Sequence, residues 1–272
     1  MWYTAYKSSE MVFATRGVAG GGADASMTAQ PHSTAHDLSD FELADEPKRF
    51  LPMMALPYDG AEVKIIINCA MSADGKIALR TREQTKISNE EDKKRVHKLR
   101  NSVDAILVGV ETVLADDPKL TVNEKYVKRP KNPVRIVLDS RGRTPAKALV
   151  LNGAARTLIV TSDECRKTFR GAETIRCGRK EVELRKLVPL LEKLGIGTLL
   201  VEGGSKVIWS FLRSKLADEV NIFIGSMVIG GEESPTPAGG EGAAVEKEIV
   251  QLKLVSSKAL GNGIHLRYEV VK

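Results

Sequence analysis

The stretch from Val103 to Val122 reads VDAILVGVETVLADDPKLTV. From Val103 to Val110 it is a nearly unbroken apolar run, as expected of a strand covered on both faces. Polar residues then return at helical spacing. Thr112 and Asp116 lie four apart, so a helix carries both on one face. Pro118 ends that helix, because proline lacks an N–H and disfavours helical backbone at the residue before it. A buried strand that runs into a short helix is a unit of an α/β fold, and its polar end lies where such folds take ligands.

The alternation extends in both directions. Upstream, VKIIINCAM predicts another buried strand and SNEEDKKRVHKLRNS a helix. In that helix Ser88 reads as the cap, Glu91 as its capping-box partner, and acids precede bases as the macrodipole favours. Downstream, PVRIVLD, RTLIVTS and ETIRC predict strands, VELRKLVPLLEKLG a helix ending at Gly195, and GTLLVE a strand. SKVIWSFLRSKLAD predicts a helix with Val207, Ile208, Phe211, Leu212 and Leu216 on one face. EVNIFIGSMVIGG predicts a further strand, and IVQLKLVSS and IHLRYEVVK a closing hairpin. The expected fold class is α/β, with a mostly parallel central sheet, helices on both faces and a C-terminal antiparallel hairpin.

Residues 1–61 differ. GVAGGGADASMTAQPHSTAHD is rich in small polar residues and has no sustained period, which predicts a flexible extension preceding one domain over 62–272. The chain of 272 residues has 41 Lys and Arg against 35 Asp and Glu, a net charge of +6 that favours anionic partners such as phosphates. The basic residues are scattered and no nucleic-acid motif is present, so nucleic acid is not expected as a partner. Cys69, Cys165 and Cys177 form no CxxC, and the four histidines lie in no HxE or HxxxH setting, so no metal site is expected. Unpaired cysteines and the lack of a long apolar run point to a cytoplasmic protein with no membrane partner.

Polar, Gly-rich and acidic residues gather at the predicted carboxyl ends of the strands. VEGGSKVIWS offers a phosphate cradle: Gly203 and Gly204 admit close backbone approach, and the free N–H groups of the next helix face an anion. Glu202, ending an apolar strand, is a candidate desolvated carboxylate suited to proton donation. His97 reads as a solvent-facing residue, and nothing local distinguishes Arg100 from the other bases.

Five motifs taken in order, MSADGKIA, LRNSVDAILVGVETVLADDPKLTV, PVRIVLDSRGRTP, LLVEGGSKV and DEVNIFI, resemble the reductases of riboflavin biosynthesis. The chain is similar to the free-standing archaeal and fungal 2,5-diamino-6-ribosylamino-4(3H)-pyrimidinone 5′-phosphate reductases, and to the C-terminal reductase domain of the bacterial bifunctional deaminase–reductase. The resemblance implies a dihydrofolate-reductase-like fold, NADPH as hydride donor, a phosphorylated pyrimidine as small-molecule substrate, and a homodimer. It implies cofactor contacts at Ala70, Thr112, Asp116, Ser140 and Thr161, and along Gly203, Gly204, Ser205, Lys206, Val207, Ile208, Trp209 and Ser210. Gln84, Arg100, Leu120 and Glu202 match substrate positions, and Glu202 with Asn68 are the candidate catalytic pair. Asn68 replaces a bacterial Lys, and Asn123 replaces a bacterial phosphate-facing Arg, for which Arg100, Lys125 or Lys128 are the available substitutes. The deaminase signature HxE with PCxxC is absent, so the resemblance implies reduction of the ribose before the pyrimidine is deaminated. Two rivals are a dihydrofolate-reductase-like pterin reductase, whose acid after a Trp-Pro-type loop is missing from LRTREQTKIS, and a non-catalytic nucleotide-binding module.

Overall fold

The computed structural model describes residues 63–83 and 85–272. The expected extension over 1–61, and Gln84, lie outside the described residues. The strands are β1 (Lys64–Ser72), β2 (Ala105–Gly109), β3 (Val134–Leu138), β4 (Thr157–Thr161), β5 (Glu173–Arg176), β6 (Thr198–Gly203), β7 (Glu219–Gly225), β8 (Leu252–Leu260) and β9 (Gly263–Val270). The helices are α1 (Glu90–Ser102), α2 (Val110–Asp116), α3 (Leu184–Lys193) and α4 (Ser205–Arg213). The strands form one nine-stranded sheet in the order β5-β4-β3-β2-β6-β1-β7-β9-β8. All pairings from β5 to β7 are parallel, and the β8–β9 hairpin runs antiparallel along β7.

Two apolar clusters sandwich the sheet. Ile65, Ile67, Leu199 and Val201 point to the face covered by α3 and α4, where Leu187, Leu191, Ile208 and Phe211 are buried. Ile66, Ile106, Val137 and Leu200 point to the other face, covered by Val110 and Val113 of α2 and by Leu99 of α1. Period-two alternation therefore places Asn68 and Ala70, which follow Ile66, on the α1–α2 face. No helix among the described residues is long and apolar enough to cross a membrane.

Three local expectations differ from the structure. Asn89, not Ser88, caps α1: its side chain accepts from Asp92 N at 2.9 Å and also donates to Leu260 O, tying the helix to β8. Ser88 is drawn instead to the Asp92 carboxylate at 2.5 Å. Helix α4 stops at Arg213, because Lys215 takes a left-handed φ of 57°, and Leu216 packs on the core from beyond the helix. β7 ends at Gly225, where a side chain would strike Ile87, rather than continuing through SMVIGG.

Candidate active site

The carboxyl ends of β2 and β6 lie side by side, yet the helices that follow them leave to opposite faces: α2 to one, α4 to the other. Divergence of this kind opens a crevice above the strand ends, the place where open α/β sheets bind ligands. The two ends approach closely. A Cβ on Gly109 would meet Val207 Cγ2 at 2.8 Å. Gly203 has a φ of +139°, a region open to glycine, and a Cβ there or on Gly204 would lie 3.4 or 3.3 Å from Thr112 Oγ1. Thr112 of α2 thus faces the Gly-Gly turn across a gap of bare backbone. Helix α4 begins at that gap with no side-chain cap, so its first N–H groups are left for an anion.

The other candidate contacts lie at or just beyond the ends of α2, β3 and β4. Thr161, closing β4, is fully buried and its Oγ1 has no hydrogen-bond partner. Burial holds the Asp116 carboxyl above its usual range. Ser140 is a structural knot as well as a candidate contact: its hydroxyl accepts from Val182 N and its carbonyl accepts from Ser162 Oγ. A glycine cradle and the free N–H groups of an uncapped helix fit the phosphates of a dinucleotide.

Not every residue of the 204–210 run faces the crevice. Ile208 is buried in the core, Trp209 turns its indole to a cavity of about 290 Å³ lined by Leu212, Ala238 and Ile249, and the Ser210 hydroxyl donates to Lys206 O. Those side chains point elsewhere, and Ile208 N already donates to Gly204 O, so the free N–H groups of this run end at Val207. Leu120 is likewise 2% exposed, with its side chain packed in the α1–α2 core.

Glu202 occupies a special place on β6. Leu107 pairs with Val201, but Val108 pairs with Gly203, so Glu202 is the extra residue of a bulge. A bulge re-aims a side chain, and this one sends the carboxylate to α1. Arg100 Nε and Nη2 donate to its two oxygens at 3.0 and 2.6 Å, while Nη1 reaches Thr121 O at 3.2 Å. Burial opposes the Arg100 charge, but the adjoining carboxylate outweighs it and the arginine titrates above its ordinary range. In this pair Glu202 is an acceptor on both oxygens.

Asn68 follows Ile67 on β1, and Ile67 pairs with Val201, so Asn68 lies beside Glu202. It is 6% exposed, and its Oδ1 accepts from Arg95 Nη2 at 2.8 Å. His97 is not a free surface residue. Its Nδ1 accepts from Asn123 N, its ring stacks on Tyr126 at 4.9 Å, and burial lowers its pKa. Lys125 is paired with Glu90 at 2.8 Å. The loop 121–126 is thereby held against α1, beside the ion pair. Of the groups named for the missing phosphate-facing Arg, Arg100 is the one bonded to Glu202.

Sequence reasoning missed Arg135. It is fully buried on β3 and spends its guanidinium on Thr157 Oγ1, Asn152 Oδ1 and the carbonyls of Lys119, Leu149 and Ala155. Burial without an anionic partner pulls its pKa down to about 10. The signal was present, a single charge inside the apolar run PVRIVLD.

A family model described as the RibD C-terminal domain matches residues 63–266. A Methanothermobacter thermautotrophicus protein named 2,5-diamino-6-ribosylamino-4(3H)-pyrimidinone 5′-phosphate reductase is 42% identical over 211 residues, covering 76% of this chain and 97% of that protein. An Aquifex aeolicus protein of the same name is 38% identical over 76% of this chain and 96% of its own length. Among solved structures, the Thermotoga maritima diaminohydroxyphosphoribosylaminopyrimidine deaminase/reductase superposes with a TM-score of 0.65 at 27% identity, covering 77% of this chain. This chain spans 57% of that longer protein. The Saccharomyces riboflavin biosynthesis reductase, at 24% identity and a TM-score of 0.62 over 81% of this chain and 96% of its own, shares the fold.

Proposed function

Because this chain belongs to the RibD C-terminal domain family, we propose that it is an oxidoreductase of riboflavin biosynthesis that reduces the ribosyl group of 2,5-diamino-6-ribosylamino-4(3H)-pyrimidinone 5′-phosphate to a ribitylamino group. The observation that carries this reading to the site is the Arg100–Glu202 pair, set by a bulge beside the Gly203–Gly204 cradle. The reductant is NADPH, and a bound nicotinamide supplies a hydride. Thr112, Asp116 and the N–H groups of Ser205 to Val207 would hold the dinucleotide, and Ser140 and Thr161 would border it.

The nitrogen lone pair opens the substrate's C1′–O4′ bond to a protonated imine that keeps its N–H, O4′ takes up a proton from solvent, and hydride addition at C1′ leaves the neutral amine. The residues that would hold the cofactor would have to bring its hydride-donating carbon within near-attack reach of C1′. Glu202 places fixed negative charge beside the imine as it becomes cationic, and Arg100 keeps that charge in place and is the cation nearest for the 5′-phosphate. Asn68 offers a hydrogen bond to the opening sugar. Most of the rate comes from positioning and from the cofactor.

Loss of NADPH absorbance on adding the ribosylamino substrate tests this reading. Faster turnover of the diaminopyrimidinone than of its deaminated analogue is expected, and NADPH should serve better than NADH. Oxidation no faster than in the absence of substrate refutes it. Cytoplasmic residence is proposed with it, in keeping with the free thiols of Cys69, Cys165 and Cys177. A homodimer is proposed along β8, an edge strand whose Leu252, Leu254 and Val255 are exposed. Light scattering at micromolar concentration should give twice the chain mass. Residues 1–61 are proposed to be dispensable, so a chain starting near Ala61 should keep its melting temperature and turnover.

A further inference from the structure

The reading of Asn68 as a donor to the sugar depends on which way its amide faces, and the structure holds a device that decides this. Asn68 Oδ1 accepts from Arg95 Nη2 at 2.8 Å. A guanidinium has donors only, so the amide oxygen must face Arg95 and the NH₂ must face away. Arg95 is itself held. Its Nε donates to Asp92 Oδ1 at 2.8 Å, and Asp92 is fully buried. The other oxygen of Asp92 accepts from Ser88 Oγ, and its backbone N–H donates to the Asn89 cap. The chain Ser88–Asp92–Arg95–Asn68 thus ties the first turns of α1 to the middle of β1.

Asn68 Nδ2, by contrast, has no hydrogen-bond partner among the described residues, and it is not one of the sealed orphan atoms as Thr161 Oγ1 is. It is a donor left open beside Glu202. The neighbouring strand does not compete for it. Asn221, paired with Asn68 in register, donates from Nδ2 to Glu219 Oε1 and accepts on Oδ1 from His265 Nε2.

We propose that Arg95, oriented by Asp92, is a positioning residue that locks the Asn68 amide with its oxygen inward, so that the site presents an N–H and not a carbonyl to the substrate. The proposal rests on the functional reading above for what the N–H meets, but the orientation itself is independent of it. An acceptor at that point would face the Glu202 carboxylate and the sugar oxygens with lone pairs only. A donor bonds an oxygen whether it is a ring ether or the hydroxyl it becomes.

Two measurements on the full chain test this. The first needs no substrate: ¹⁵N NMR of the side-chain amides. The Asn68 NH₂ pair should show dispersed proton shifts with slow exchange between them in the wild type and in Arg95→Lys, and collapse toward the free-amide position in Arg95→Leu. A free-amide position in the wild type overturns the proposal. The second is a kinetic cycle. Arg95→Leu and Asn68→Ala should each lower kcat/KM about tenfold, mostly through kcat, Arg95→Lys should recover part of the loss, and the double variant should be no worse than Asn68→Ala. Additive losses, or a melting temperature that falls while kcat/KM holds, overturn it. If the wild type fails to turn over the substrate while the NMR pattern holds, the functional reading has failed and the lock on the amide stands.

Discussion

Replacing Arg100 by Met should cost more stability than replacing both members of its pair. Arg100 makes two charge-assisted bonds to Glu202, and the side chains are 19% and 9% exposed. Removing one partner of a fully buried pair costs about 3–5 kcal/mol, because the other charge is left uncompensated. Here the pair borders an open crevice and water can re-enter, so Arg100→Met should cost about 2–4 kcal/mol. At about 2–4 °C per kcal/mol for a domain of this size, the melting temperature should fall by roughly 4–16 °C. Glu202→Gln, which strands the arginine instead, should cost about 1.5–3 kcal/mol. The double variant removes both charges and should return to within about 2 kcal/mol of the wild type. Urea unfolding of the four proteins, with equal m-values as the condition for comparison, yields a coupling energy of at least about 1.5 kcal/mol. A coupling below about 0.5 kcal/mol, the range of independent sites, refutes the account of the pair as one unit. Turnover separates fold support from chemistry: the double variant should regain stability while its kcat stays about ten- to a thousandfold low.

Gly204→Ala puts a methyl group 3.3 Å from Thr112 Oγ1 at a backbone conformation open to alanine. It should weaken NADPH about tenfold by fluorescence titration with the melting temperature nearly unchanged. Arg135→Lys keeps the charge but leaves several of the carbonyls of Lys119, Leu149 and Ala155 without donors, so it should cost at least about 2 kcal/mol in urea unfolding. His265 is pushed down to about 4, first by burial and then by the Arg95 charge. Its unfolded form takes a proton near pH 6.5 and its folded form does not, so stability should fall as pH drops from about 6.5 to about 4. The downward shift of His97 has the same sign. Melting curves across that window should be flatter for His265→Gln. A separate loss should follow at lower pH, as Asp74 and Glu90, both held at about 2, are protonated.

Much of the fold was legible because it depends on near neighbours in the chain. Apolar runs marked the strands, and the Gly-Gly pair marked the turn, in which Gly203 takes a φ of +139° facing Thr112. The cap of α1 was placed one residue early. Ser88 and Asn89 are both good caps, and the choice was made by Leu260, 171 residues away, which gives the Asn89 amide a second bond. The bulge at Glu202 leaves no periodic trace, because one extra residue on a strand is defined only by its partner's register.

The site was least legible where its partners are farthest apart. Arg100 and Glu202 are 102 positions apart, and nothing local to either names the other as its partner. The topology joins them: β6 is inserted between β1 and β2, so the strand end that carries Glu202 passes under the helix that connects those two strands. That same helix brings Arg95 over Asn68 on the next strand. Helix α1 therefore contributes no predicted catalytic group, yet its two arginines, five residues apart, set the direction of both polar side chains beneath it. The identities of Glu202 and Asn68 are readable as chemistry only after those arginines are in place. One fixes a carboxylate as an acceptor and the other fixes an amide as a donor, so the two neighbouring strands present opposite hydrogen-bonding character to a single point in the crevice.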